Sequence, residues 1–341
     1  MHTLMKRLLA IMAVASALGI SASWAEGIPG AHIAVPPEAK RIKTILQQPQ
    51  SKMDLAVVKL TIDKMIDPSI DINANLKKID GIVAQVQAMA GSNPSSNTKL
   101  LALKRYLYEK GPWNDYEAYQ YDFADPRGTK IKNKLLPTYL VTKKGNCVSM
   151  PFLFIVLGQR LGLDVSASTA PEHYLVKFTD PDSGVTYNLE TTSGANPTRD
   201  VWYRQEMPMT DEAIANGIYL QKLTKRETAA VMATILAENF AEHREPEKVI
   251  AIADAVLPFY PKNIGLILGK GSAYSRLISR DFEAKYPRPM DIPASEVPRF
   301  RYYAEQNQLW FAKAESLGWR QPSMNQEARY QKTVTRAKSS Q

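Results

Sequence analysis

The sequence has one cysteine, Cys147, and four histidines among its 341 residues. A single thiol cannot form an internal disulfide, so a fold stapled by disulfides is excluded. The sequence also lacks the closely spaced cysteines and histidines of a zinc site, a glycine-rich phosphate loop and a His-Glu-x-x-His motif. We therefore expect no metal and no cofactor. A lone thiol is a liability in an oxidising compartment unless it is buried or used in chemistry.

Long apolar runs are missing as well, apart from one at the start of the chain. Lys6 and Arg7 precede the apolar run from Leu8 to Ile20, and Ser23-Trp24-Ala25 fits the small-x-Ala pattern of a cleavage site. This arrangement is typical of a secretory signal peptide. We expect residues 1–25 to be removed and the mature protein to be periplasmic or secreted. The remaining sequence has no run of the roughly 20 apolar residues that a membrane-spanning helix needs.

Arginine and aromatic residues do not alternate in the way that is typical of nucleic-acid-binding proteins, so we expect no nucleic-acid partner. The net charge is +9, and it falls to +7 when the signal peptide takes Lys6 and Arg7 with it. This modest basic excess is compatible with an anionic partner, and it also serves as an ordinary solubilising charge. The length is enough for two or three compact units.

The sequence before the cysteine is mainly helical in its pattern. Residues 26–53 contain several prolines and a short helical patch, which favours an arm or linker. Apolar residues then recur at helical spacing within residues 54–130, and Asp67-Pro68 divides the pattern. We therefore predict a helical N-terminal block over residues 54–130.

Helical spacing returns after a predicted surface loop at Asn196–Asp200, first in a polar helix, Thr210–Ile218, and then across the rest of residues 201–320. Two predicted helices, Glu227–His243 and Pro246–Pro258, place apolar and small residues at the signature positions of a tetratricopeptide repeat. These residues are Leu236, Ala237, Phe240 and Ala253, and Pro261 falls on a further signature position after the second helix. Residues 321–341 are rich in lysine, arginine and glutamine, which predicts a disordered tail.

Three residues with complementary chemistry follow one another in residues 131–200. Cys147 lies where a loop turns into an apolar helix, Val148–Leu161, and the positive end of the helix dipole favours the thiolate that attacks. His173 opens an alternating strand, and Glu190 closes the next strand after a turn. This order predicts a thiol nucleophile, a general base and a carboxylate that orients the base.

Two alternatives remain open for this segment. Asn188 shares a face with Glu190 on the second strand, so it is a possible alternative orienter of His173. A metal site on Cys147 and His173 is a poorer interpretation, because two ligands fill only half of a zinc shell.

The motif Gly145-Asn146-Cys147, the strand residue His173 and the sequence Leu189-Glu190-Thr191-Thr192 resemble the transglutaminase-like superfamily of papain-type Cys-His-Asp folds. The preceding helices and the stretch from Tyr121 to Pro126 are similar to its SirB-type branch, in which a tetratricopeptide region follows. The resemblance implies an α+β fold. A papain-like transglutaminase core, made of a central helix and an antiparallel sheet, would lie between the helical N-terminal block and a helical, tetratricopeptide-like C-terminal region. The family has an aspartate in the place of Glu190.

The function that this resemblance implies is that of an exported thiol enzyme acting on amide or peptide bonds through an acyl-enzyme. It would be a peptidase or amidase, or it would transfer the acyl group to an amine, and a protein or peptide would be its substrate. The alternative is a catalytically inactive scaffold that binds a protein or peptide partner through its helical repeat region. SirB-type relatives often lack the cysteine, which keeps this alternative open.

Overall fold

The structure, a computed structural model, describes residues 33–326. The predicted signal peptide, residues 1–25, and the part of the predicted tail beyond residue 326 lie outside these residues. The helices before the sheet are α1 (Pro37–Gln47), α2 (Leu55–Ile66), α3 (Ile72–Ala90), α4 (Ser96–Tyr108), α5 (Leu136–Thr142) and α6 (Ser149–Arg160). Those after it are α7 (Asp200–Glu206), α8 (Asp211–Ala215), α9 (Lys225–Glu242), α10 (Pro246–Val256), α11 (Ile264–Ile278) and α12 (Val297–Ser316). The strands are β1 (Gln120–Tyr121), β2 (Lys144–Gly145), β3 (Val165–Ala170), β4 (His173–Thr179), β5 (Thr186–Glu190) and β6 (Asn196–Thr198).

Helix α1 lies in the segment predicted as an arm or linker. Its residues Ala39, Ile42, Ile45 and Leu46 are buried, and it packs against α10. The segment is therefore part of the core where α1 runs. Local sequence favoured a linker because of the prolines, and Pro37 in fact starts the helix, where a missing N–H costs nothing.

Helices α2, α3 and α4 form the predicted helical block. Asp54, Asp71 and Ser95 cap their N-termini by accepting hydrogen bonds from backbone amides of the first turn. The predicted break at Asp67 is where α2 ends.

A buried ion pair inside α2 ties this block to the segment that leads to the cysteine. Lys59 and Asp63 are both fully buried and hydrogen-bonded to each other. The second carboxylate oxygen of Asp63 accepts from the amide of Leu136 at 2.8 Å, and Lys59 donates to the carbonyl of Lys134 at 3.2 Å. Burial lowers the pKa of Lys59 and raises that of Asp63, although each partner's charge opposes the shift. The start of α5 is thereby fixed on α2.

The main sheet has the strand order β3-β4-β5-β6, with every pair antiparallel. The expected surface loop Asn196–Asp200 is corrected here, because its first residues form β6 on the edge of the sheet. The single polar helix expected at Thr210–Ile218 is also corrected: a short helix, α8, ends at Ala215, and α7 precedes it. On the other edge, the amides of Leu220 and Leu223 donate to carbonyls of β3, so that strand is covered.

Helix α6 is the centre of the core, and it packs on the sheet as well as on α2, α3, α4 and α5. Every residue from Ser149 to Gly158 is buried. Val176, Phe178 and Leu189 of the sheet belong to the same apolar cluster as this helix. The opposite face of the sheet carries Leu175, which packs in a second cluster with residues of α7 and α8. The sheet is therefore covered on both faces near the site.

The C-terminal helices α9 to α12 pack on one another in chain order. Helix α9 begins with a capping box of Thr224 and Glu227 and also packs on α2 and β3. This region thus joins the same core as the rest of the chain, and its likeness to tetratricopeptide repeats stays a prediction. Within residues 33–326, none of the helices combines the length and the apolar character needed to cross a membrane. The architecture is α+β.

Candidate active site

Cys147 lies two residues before α6, and the side chain of Asn146 caps the start of the helix around it. The Asn146 Oδ1 accepts from the amides of Val148 and Ser149 at 3.0 and 3.1 Å, and the Asn146 amide donates to Ser149 Oγ at 3.1 Å. Asn146 itself is fully buried. These bonds hold the backbone on both sides of Cys147, so the direction of its side chain is fixed by the start of the helix.

Gly145 allows the chain to enter this turn. It pairs with Tyr121 in the small parallel sheet of β1 and β2. A Cβ at position 145 would lie 2.6 Å from the ring of Tyr139 and 2.7 Å from the side chain of Met150. Only glycine fits such a close approach without a shift of its neighbours.

Asp125 organises the loop beside the cysteine. Its buried carboxylate accepts from the amides of Thr129 and Lys130 and, at 2.8 Å, from the side chain of Asn133. The carbonyl of Asn133 in turn accepts from the side chain of Asn146 at 3.1 Å. Burial raises the pKa of Asp125, but these donors outweigh burial and hold the pKa below its ordinary value. The loop around Asp125 is thus connected through Asn133 to Asn146, the residue that caps α6 beside Cys147.

His173 and Glu190 meet at one end of the strand pair β4–β5. His173 opens β4 and Glu190 closes β5, and the strands are antiparallel, so both residues lie at the same end. The His173 Nε2 is 2.7 Å from Glu190 Oε2, and both side chains are buried. The sequence prediction that Glu190 lies within reach of the imidazole agrees with this geometry.

Asn188 does not contact the imidazole, which corrects its role as an alternative orienter. The register places it opposite Lys177, two positions along the strand from Glu190. Its amide nitrogen donates to the carbonyl of Thr198 at 3.0 Å and to Asp200 at 2.5 Å. The shared face was predicted correctly, but the distance along the strand separates Asn188 from His173.

The carboxylate of Glu190 is held at both oxygens. Oε1 accepts from the amide of Thr192 at 3.0 Å and from the Thr192 hydroxyl. Oε2 accepts from the hydroxyl of Tyr203 at 2.8 Å in addition to its contact with His173. Sequence reasoning missed both partners. Thr192, the second residue after the strand, carried a local signal as a hydroxyl two residues from a carboxylate, whereas nothing in the sequence near Tyr203 pointed to Glu190.

The charges of this group stabilise one another. Burial lowers the pKa of His173, but the Glu190 carboxylate and the Cys147 sulfur outweigh burial and raise the pKa from 6.5 to about 10. Burial raises the pKa of Glu190, but His173, Thr192 and Tyr203 outweigh it and hold that pKa below its ordinary value. An imidazolium facing a carboxylate is therefore the favoured state near neutral pH.

Cys147 lies next to the last residue of the turn before β4. Its Sγ is 3.7 Å from the carbonyl oxygen of Glu172, the residue before His173. Because His173 Nε2 contacts Glu190, the ring nitrogen left for the sulfur is Nδ1. The Cys147 amide donates to no acceptor among residues 33–326. The arrangement can bind a developing negative charge at this amide and move a proton at the imidazole.

The site is almost closed to solvent. Cys147, His173 and Glu190 are 5%, 8% and 6% exposed. Glu172 forms a partly exposed ion pair with Arg127 at 2.6 Å, which joins the Asp125 loop to the turn before β4. In the described part of the chain, no group of three or more histidine, cysteine, aspartate or glutamate side chains is arranged to hold a metal ion.

In comparisons with known proteins, the middle of the chain is similar to one protein family. The family model of the transglutaminase-like superfamily matches residues 73–233, a span that includes Cys147, His173 and Glu190. A UPF0162 protein of Xylella fastidiosa strain Temecula1 is 22% identical over 215 residues, which cover 62% of this chain and 73% of that protein. No solved structure matches the chain. The observed α+β architecture is consistent with a transglutaminase-like core, while the SirB-type branch stays a prediction.

Proposed function

We propose that this protein is an exported thiol enzyme that acts on amide or peptide bonds through an acyl-enzyme. The observation that carries the proposal is the contact of His173 Nε2 with Glu190 Oε2 at 2.7 Å, next to a thiol at the start of a buried helix. The match of residues 73–233 to the transglutaminase-like superfamily supports it. Export is proposed from the N-terminal sequence, which has the pattern of a signal peptide.

In the first half of the reaction, Cys147 is the nucleophile. The thiolate forms a bond to the carbonyl carbon of the substrate, and the carbonyl electron pair moves onto oxygen. The Cys147 amide donates to this oxyanion, since no acceptor within residues 33–326 occupies it. The adduct collapses when the C–N bond breaks and His173 gives its proton to the leaving amine. A thioester on Cys147 and a neutral imidazole remain.

In the second half, His173 takes a proton from the molecule that attacks the thioester. Water gives a free acid, and an amine gives a new amide. In both cases the C–S bond breaks, the thiolate leaves and His173 is charged again. Glu190 holds the imidazole by one ring nitrogen throughout and stabilises its charged form. The substrate class is a protein or peptide, because the bond broken is an amide.

The burial of the site favours a second candidate function. With Cys147 only 5% exposed, a substrate carbonyl reaches the sulfur only after neighbouring residues move. A scaffold that binds a protein or peptide partner through α9–α12 needs no such access. The chemistry of the two functions differs at Cys147, so one substitution separates them.

The test is Cys147→Ser, measured for peptide-amide hydrolysis, for incorporation of a labelled amine and by thermal melting. Turnover should fall by about 1,000-fold or more, because a serine hydroxyl in this position is not activated as a nucleophile in the way that the thiolate is. The melting temperature should change by only a few degrees, because the two side chains are nearly isosteric. The control is Met290→Ala, an 80% exposed residue far along the chain, which should leave both readouts unchanged.

The contrary result is equally specific. If the wild type converts neither a peptide nor an amine donor, and Cys147→Ser melts several degrees lower, then Cys147 is a buried core thiol. The scaffold function would then stand in place of the enzyme.

A further inference from the structure

Tyr203 lies on α7, outside the three residues of the proposed chemistry, and it is fully buried. Its hydroxyl is 2.8 Å from Glu190 Oε2, the same oxygen that His173 Nε2 contacts at 2.7 Å. The ring centroids of Tyr203 and His173 are 6.1 Å apart. The phenol and the imidazole thus share one carboxylate oxygen.

We propose that Tyr203 is a positioning residue that sets how tightly Glu190 holds the proton on His173. The inference rests on the proposed function, since it assigns a role within the same site. A hydrogen bond to a carboxylate oxygen disperses part of its negative charge, so the carboxylate attracts the imidazolium proton less strongly. Tyr203 therefore keeps His173 acidic enough to give up its proton to a leaving amine.

The carboxylate cannot simply turn away when the phenol is removed. Thr192 holds Oε1 by two donors, its amide and its hydroxyl. Without the Tyr203 hydroxyl, Oε2 would still face His173 and would carry more of the negative charge. The expected consequence is a stronger, not a weaker, contact between Glu190 and His173.

The ionisable groups that face this pair come from several elements. Cys147 precedes α6, Tyr203 belongs to α7, and Tyr108 ends α4, while Asp200 of α7 acts on Tyr203. Burial raises the pKa of Tyr203, and Glu190 raises it further. The phenol therefore remains a hydrogen-bond donor across the pH range of an enzyme assay.

Tyr108 offers a matched control. Its hydroxyl is buried and has no hydrogen-bond partner among the described residues. Burial raises its pKa, and the charge of Glu190 raises it further. The hydroxyl therefore interacts electrostatically with the same carboxylate without donating a hydrogen bond to it. Tyr108→Phe thus removes the same atom near the same charge, without removing a hydrogen bond.

The experiment compares the wild type, Tyr203→Phe and Tyr108→Phe by the pH profile of turnover and by NMR titration of the His173 imidazole. His173→Gln identifies the His173 signal among those of the other histidines. In Tyr203→Phe, the pKa of His173 should rise by about half a unit to one unit, and turnover should fall about 3- to 10-fold, since one unit is a tenfold change. Tyr108→Phe should match the wild type in both readouts.

A second variant keeps the test decisive if Tyr203→Phe folds poorly. Replacing Tyr203 by 3-fluorotyrosine keeps the ring volume and gives a more acidic phenol, so the titration of His173 should move to lower pH. An unchanged or oppositely shifted titration, accompanied only by a lower melting temperature, would show that Tyr203 merely fills space and would overturn the inference.

The two proposals fail separately. If the wild type shows no turnover but the His173 titration moves as expected, the role of Tyr203 stands and the proposed enzyme function fails. If the wild type turns over substrate and the titration does not move in Tyr203→Phe, the enzyme function stands and the inference is wrong.

Discussion

The site and the C-terminal helices are held together in different ways. Around Cys147, buried polar groups form a series in which the carboxylate of Asp125 binds Asn133, and the carbonyl of Asn133 binds the cap residue Asn146. Where α12 packs on α11 and on the turn that follows α11, many contacts are between rings, such as Tyr274 with Tyr303 at 5.9 Å and Phe282 with Phe300 at 5.2 Å. Hydrogen bonds fix direction, whereas packed rings fill volume. A change in the first region should therefore alter chemistry more than stability, and a change in the second should do the reverse.

The largest effect on stability is expected at Phe282, which is 1% exposed and contacts the rings of Phe300 and Tyr303. Phe282→Ala should lower the free energy of unfolding by about 3–5 kcal/mol, because the cavity cannot close fully. The turnover of the protein that remains folded should stay near that of the wild type. Denaturant unfolding and a peptide-amide assay measure the two quantities. A loss of turnover per folded molecule would show that the two regions are not separable in this way.

The reverse behaviour is expected at Glu190. Glu190→Gln keeps the shape of the side chain but loses the charge that stabilises the imidazolium, so turnover should fall by about 100-fold or more. The melting temperature should fall by only a few degrees. The control, Glu109→Gln, changes a carboxylate that is 64% exposed and should alter neither quantity. Equal turnover of Glu190→Gln and the wild type would remove Glu190 from the mechanism.

A smaller effect should appear in the pH dependence of stability. A group whose pKa is raised on folding stabilises the protein fully below its unfolded pKa, and this contribution is lost as the pH rises through the folded pKa. For His173 that window runs from 6.5 to about 10. The melting temperature of the wild type should fall across this window, and His173→Gln should lack this part of the slope. Glu190, with its pKa lowered, acts in the opposite sense and loses its contribution as the pH falls below its ordinary range.

Melting curves measured from pH 6 to pH 10 on the wild type, His173→Gln and His243→Gln provide the comparison. His243 lies at the end of α9 and contacts the carbonyl of Asn239, not the Glu190 carboxylate, so its substitution should keep the slope. Parallel curves for the wild type and His173→Gln would contradict the expected charge on the imidazole.

The parts of the molecule that sequence predicted well are those with strong local patterns. The central helix was predicted as Val148–Leu161 and is observed as Ser149–Arg160, because an apolar run on all sides is hard to mistake and Gly162, at φ +74°, ends it. The contact between His173 and Glu190 was predictable because strand alternation and one tight turn set the register of β4 and β5. Both features depend on neighbours in sequence.

The parts that were missed depend on contacts between distant residues. Helix α1 was predicted as part of a linker, since the partners of its apolar face, chiefly α10 together with α9 and α2, are not its neighbours in a local pattern. The role of Asn188 stayed open because alternation gives the face of a strand but not the position along it. Tyr203 reaches Glu190 only after β6 has joined the sheet and α7 has folded back. No local pattern encodes that position.

The smallest effect expected within the sheet is at Asn188, which gives the sharpest comparison with Glu190, because the two residues share one face of β5. Asn188 donates to the carbonyl of Thr198 and to Asp200, so it fastens the edge strand β6 and the start of α7 rather than the imidazole. Asn188→Ala should therefore lower the free energy of unfolding by about 1–2 kcal/mol, the range for one or two lost hydrogen bonds. Turnover should stay within about twofold of the wild type, because Asn188 does not contact the imidazole and its loss removes no charged partner of His173. Urea unfolding and the peptide-amide assay decide the matter. If turnover in Asn188→Ala falls as far as in Glu190→Gln, the orienting role extends along the strand, and the distinction between the residue that holds His173 and the residue that holds the sheet does not stand.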